Sequence, residues 1–272
     1  MAAIGAMVAL AIDASHVASA QGRLEAEYDA TVAGIPVGHG SWVVEIFDNS
    51  YTAAASGTTE GLLKFFTGAH GVGTSRGTMT AGQLVPTNYA ATIIDDRHVD
   101  DVHISLTDGN VTDYTAEPPL LPLPERIPVT DADRRGVVDP MTSALTRVGG
   151  SGDPVRAEAC QRKVPVFDGR VRYDLTSEFK RIASVKADKG YEGAAVVCSL
   201  YFTPISGYVP DRAAIKYLVE LRDAEVWLAP IAGTRVLVPF YFSMPTPIGL
   251  GVMKAKQFVS VAQPAHTVAK TQ

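Results

Sequence analysis

Leu24-Glu25-Ala26-Glu27-Tyr28-Asp29-Ala30-Thr31-Val32 decides the fold class, because apolar and small residues alternate there with Glu25, Glu27, Asp29 and Thr31. A period of two puts one set on a packed face and the other in water, which is a half-buried β-strand. The signature continues outward. Gly34-Ile35-Pro36-Val37-Gly38 reads as a turn, Ser41 to Phe47 as a second strand, Asp48-Asn49-Ser50 as the next turn and Tyr51 to Thr59 as a third strand. That is a meander. More strands are expected near Thr74 to Ala81, Leu84 to Asp95, His98 to Leu106 and Val111 to Ala116, the last pair joined by the strong hairpin signal Asp108-Gly109.

The pattern breaks at three places. Glu60-Gly61-Leu62-Leu63-Lys64-Phe65-Phe66, capped by Thr58 or Thr59, reads as a short apolar helix that plugs a core or one end of a barrel. Pro118-Pro119-Leu120-Leu121-Pro122-Leu123-Pro124 cannot pair as a central strand, because proline lacks the donor, so 117–139 is expected to cross over in extended form. Asp139-Pro140-Met141 opens a helix through Ser143 to Val148, stopped by Gly149-Gly150. Strands then resume at Val171 to Lys180, Ala194 to Thr203, Asp223 to Leu228, Thr234 to Phe242 and Leu250 to Val261, with a short helix from Pro210 to Leu218.

Roughly a dozen strands with two or three short helices define an all-β fold: a large, strongly curved antiparallel sheet forming an open or closed barrel. The crossover could instead divide two β domains. One continuous sheet over 21–261 is preferred, because neither half shows a way to cover its apolar face.

Composition agrees. Charged residues are only 19%, while 24 Gly and 17 Pro suit many strands and tight turns. A net charge of -5 without a dense Lys/Arg cluster excludes a nucleic-acid footprint. Ala2 to Ile12 is an uncharged apolar run ending in Ala18-Ser19-Ala20, which suits a signal peptide over 1–20, although no Lys or Arg precedes Arg23. The run is shorter than the roughly 20 residues of a membrane span, so the mature protein is expected to be exported, periplasmic and soluble. Residues 262–272 read as a disordered tail. Cys160 and Cys198 favour one disulfide in an oxidising compartment, with two buried thiols as the alternative.

Tyr28-Asp-Ala-Thr-Val-Ala-Gly-Ile-Pro-Val-Gly38 resembles the opening of an uncharacterised bacterial family, the domain of unknown function numbered 3108. The resemblance continues at Asp139 to Leu145, Val164 to Arg170 and Glu225 to Pro230, and so spans most of the mature chain. It implies an exported, β-rich protein of Gram-negative envelopes and carries over no catalytic residues. Lipid-carrying open barrels are an analogy at the level of fold alone.

Three constellations stand out along the chain. Gly73-Thr74-Ser75-Arg76-Gly77 matches the form of a hydrolase elbow, but the strand expected to follow it is the wrong context, and a glycine-rich turn is preferred. Asp96, His98 and Asp100 share one strand face, Asp101 and His103 the other; with no fourth ligand identifiable, a solvated sheet face is preferred to a metal site. Phe167-Asp168-Gly169-Arg170 reads as a tight turn with Phe167 packed inward. Phe65, Phe66, Phe202, Trp227, Phe240 and Phe242 supply either an ordinary core or the lining of an apolar cavity. The resulting expectation is a non-enzymatic periplasmic protein that needs no cofactor and binds a lipidic or other apolar ligand, or an envelope protein partner. A scaffold with a filled barrel is second, and a serine hydrolase using Ser75 third.

Overall fold

A computed structural model of the chain describes residues 21–60, 69–95 and 98–263. The expected signal peptide, the expected plug residues Phe65 and Phe66, Asp96 and all but the first two residues of the expected tail lie outside the described residues.

The first seven strands form the meander: β1 (Gly22–Val32), β2 (Ile35–Ile46), β3 (Ser50–Thr59), β4 (His70–Thr80), β5 (Gln83–Ile94), β6 (Val99–Thr107) and β7 (Asn110–Glu117). After the crossover come α1 (Pro140–Ser143), β8 (Thr146–Arg147), β9 (Arg162–Phe167), β10 (Arg172–Lys186), β11 (Lys189–Gly190) and β12 (Glu192–Ser206). The chain ends with α2 (Ala213–Glu220), β13 (Glu225–Pro230), β14 (Val236–Thr246) and β15 (Gly249–Ala262). All belong to one sheet, because β15 returns to pair antiparallel with β1 along its whole length. The path runs β7-β6-β5-β4-β3-β2-β1-β15-β14-β13-β12-β10-β9, so the ladder has two edges and does not close.

Several of the sheet's β-bulges carry a proline. Pro36, Pro86, Pro204 and Pro239 all stand inside strands, and each sits at a break in register where its strand carries one extra residue. Proline removes a ladder donor and is tolerated where pairing is already interrupted, and a bulge bends the strand and tightens its twist. The sheet curls so that edge β9 comes back toward β6 and β7. Tyr114 meets the Phe167 ring edge-on at 5.4 Å, and the Arg170 guanidinium donates to the carbonyls of Glu117 and Pro118 at 3.0 and 2.6 Å. Val137 and Val138 lie in the seam, bonding Gly109 on one side and the Pro165–Phe167 backbone on the other. Side chains and the crossover thus bridge the two edges that the ladder leaves unpaired.

The core follows the alternation of β1. Leu24, Ala26 and Tyr28 are buried with Trp42, Val44, Ile46, Tyr51, Ala53, Phe240 and Phe258. A second cluster surrounds Cys160 and Cys198, which are disulfide-bonded with Cα atoms 5.3 Å apart.

Several boundaries differ from expectation. β2 begins at Ile35, because Ala33-Gly34 alone makes the turn, both with positive φ as a two-residue hairpin demands. The helix from Asp139 ends at Ser143, and Thr146-Arg147 instead pair with Val236-Leu237, where β14 has no β15 partner. β9 carries no clear strand signature in the sequence, because Pro165 interrupts it, which an edge strand tolerates. α2 starts at Ala213 rather than Pro210.

Candidate functional site

Beyond its last fully buried row, the core-facing side of the meander changes character. Tyr28 pairs with Gly40, Gly40 with Gly57, Gly57 with Gly71, and Gly71 with Ile93, a single row across five strands with three glycines side by side. The adjoining row is Ala26, Trp42, Ala55, Gly73 and Ala91. Over these rows lies a cavity of about 520 Å³, walled by Tyr28, Trp42, Ile93 and Met253 and floored by the glycines. That volume falls within the range of roughly 300–1,000 Å³ typical of small-molecule sites.

Fold alone does not account for the glycines. A Cβ on Gly57 would meet only the His39 carbonyl at 3.6 Å, and one on Gly71 would touch Ile93 Cγ1 at 3.4 Å, both ordinary contacts. Neither residue needs positive φ. Glycine inside a strand costs about 0.5–1 kcal/mol relative to alanine, so the empty floor is kept at the expense of stability. Gly40 is different, since its Cβ would lie 2.8 Å from the Ser56 carbonyl.

Trp42 is 8% exposed, and its indole N–H finds no acceptor among the described residues. An unpaired buried donor costs about 1–3 kcal/mol. The neighbouring Tyr28 shows the contrast: its hydroxyl donates to the Pro239 carbonyl at 2.7 Å, and burial pushes its pKa upward. Around the same end of the sheet Ile35, Ile248 and Leu250 stand exposed beside the turns, and Ile93 is half in the cavity and half in water.

Ser75 is elsewhere. It lies in the middle of β4, on neither a strand-to-helix elbow nor the expected glycine-rich turn, 2% exposed, and donates to Asp139 Oδ2 at 3.0 Å. Asp139 caps α1 by accepting from the Met141 and Thr142 amides, each at 2.9 Å, while Thr142 Oγ1 lies 2.6 Å from Tyr51 Oη and 3.0 Å from Ser75 Oγ. This hydrogen-bonded hub ties α1 to the sheet. Burial raises the Asp139 pKa, although its donors oppose the shift.

The aspartate–histidine cluster spreads over the surface. His103 pairs with Asp101 at 2.8 Å and Asp100 with Arg170 at 3.1 Å, and among the described residues no group of three metal-ligating side chains comes together. The aromatic residues expected to line a cavity are dispersed. Phe240 is the extra residue at the β14 bulge, packed in the core with its ring 5.4 Å from Phe258. Phe202 packs on Tyr173 at 5.3 Å. Trp227 lies 4.9 Å from Tyr241 and 5.1 Å beneath the Arg181 guanidinium, and donates to Glu225. None of these three lines the large cavity; Tyr28 and Trp42 do. Phe242 lines a smaller second space.

Fold and cavity together define a curled antiparallel sheet, barrel-like but unclosed, with an apolar cavity at one end. The chain belongs to the family described as protein of unknown function (DUF3108), which matches residues 27–256. A beta-barrel-like protein of domain of unknown function DUF1849 from Brucella abortus is similar in structure, with a TM-score of 0.44 and 10% identity over 89% of this chain and 98% of that one. No curated protein matches. Among the described residues no helix is long and apolar enough to cross a membrane.

Proposed function

We propose that this is a non-enzymatic, exported envelope protein that holds a lipidic or other apolar ligand in the glycine-floored cavity. The observation that carries the reading is the apolar cavity of about 520 Å³ over a floor of glycines, two of which, Gly57 and Gly71, could carry a Cβ without a clash. The exposed apolar residues around the cavity suit a mouth that meets lipid. The Cys160–Cys198 bond supports an oxidising compartment such as the periplasm.

The chain has two tryptophans, so Trp227→Phe leaves Trp42 as sole indole reporter. Titration of that variant with the apolar dye N-phenyl-1-naphthylamine should quench Trp42 emission saturably at one dye per chain. Gly57→Leu, which fills the floor, should abolish the quenching while leaving the melting temperature within a few degrees. Quenching that never saturates, or that Gly57→Leu leaves intact, would contradict the proposal.

A further inference from the structure

A second space of about 200 Å³ also reaches Met253 and is lined by Leu175, Leu228, Phe242, Thr146 and Arg162. Met253 belongs to the walls of both spaces. A flexible methionine is the kind of partition that yields to an occupant.

Arg162 is out of place there. Its guanidinium contacts the Thr146 hydroxyl, and no carboxylate among the described residues lies within ion-pair distance of it. The acids on the neighbouring strand are engaged elsewhere: Asp174 holds Lys163 at 3.0 Å and Arg172 at 2.6 Å, and Glu178 accepts from Tyr201 at 3.3 Å. A partly buried charge without a counter-ion is costly, and apolar walls make it more so. Desolvation pulls the Arg162 pKa down to about 10 with no opposing carboxylate. A guanidinium remains charged at neutral pH even so, and its planar fork matches a carboxylate or phosphate through two parallel N–H donors.

We infer that Arg162, with the Thr146 hydroxyl beside it, forms an anion site that receives the carboxylate or phosphate head of an amphiphile whose apolar chain passes Met253 into the larger cavity. This rests on the apolar-ligand reading for the chain of the ligand, while the anion site stands on Arg162 itself.

The test titrates the full-length protein with oleate, methyl oleate and inorganic phosphate, each below its aggregation limit. Wild type should bind oleate roughly ten-fold or more tighter than methyl oleate, as a charge-assisted hydrogen-bonded pair implies. Arg162→Gln should bring oleate to the level of methyl oleate without changing the latter, and Arg162→Lys should restore part of the preference. Equal affinity of wild type for oleate and its ester would overturn the anion site while leaving the apolar cavity standing, and that comparison needs no variant to fold. Phosphate binding abolished by Arg162→Gln, with no uptake of either oleoyl compound, would keep a free-anion site and remove the apolar-ligand reading. Binding of none of the three would overturn both.

Discussion

Asp139 is the residue on which the interior is most finely balanced. It has no exposed surface, caps α1 through two amides and accepts from the Ser75 and Thr142 hydroxyls. Asp139→Ala removes the cap, worth about 1 kcal/mol, and strands buried hydroxyls at about 1–3 kcal/mol, so a loss of roughly 2–4 kcal/mol is expected in urea unfolding. Asp139→Asn keeps an acceptor for both amides, and the hydroxyls can rotate to accept from its new donor. The pH dependence follows from the raised pKa. The folded state holds the proton more tightly than the unfolded one, whose value lies near 3.8. The contribution is therefore fully present below that value and is lost as pH rises through the higher folded one. Relative to wild type, Asp139→Asn should gain stability as pH rises through that window, and a difference flat in pH would contradict the assignment. Residue identity alone could not have shown this hub: Ser75 attracts notice through its glycines, yet its partners come from the far side of the crossover.

At the scale of elements, strands with strict alternation were legible, and β1 is the clearest, since Leu24, Ala26 and Tyr28 are all buried and Glu25, Glu27 and Asp29 all exposed. The short elements were not. Asp139-Pro140 starts a helix as its capping chemistry requires, but its end is decided by a vacant stretch of β14 that takes Thr146-Arg147. β9 carries a proline that only its edge position excuses. The disulfide pins the short 3-10 turn at Ala157–Cys160 to β12 across a separation of 38 residues. For a loop of that size the chain-entropy cost is about 3–4 kcal/mol, so reduction should lower the unfolding midpoint in urea accordingly. A midpoint unmoved by reductant, with both thiols shown free, would mean that local packing alone holds this turn.

For the whole molecule, the curled sheet was readable from strand count, and the residues that bound its cavity were not. Gly40, Gly57 and Gly71 belong to three strands, and only register places them side by side. Phe202, Trp227 and Phe240 are conspicuous in sequence because they are large, whereas the cavity is marked by residues that are small. Arg162 beside Lys163 looks like an ordinary solvated pair until the sheet curls over it. The cavity, on this reading, is there to be occupied. Solvent extraction and mass spectrometry of protein purified gently from an envelope extract test it most directly. One amphiphile per chain, depleted in the Gly57→Leu variant, is the expected result. A protein that emerges empty and takes up no oleate when supplied would contradict the account and favour a scaffold with a filled barrel.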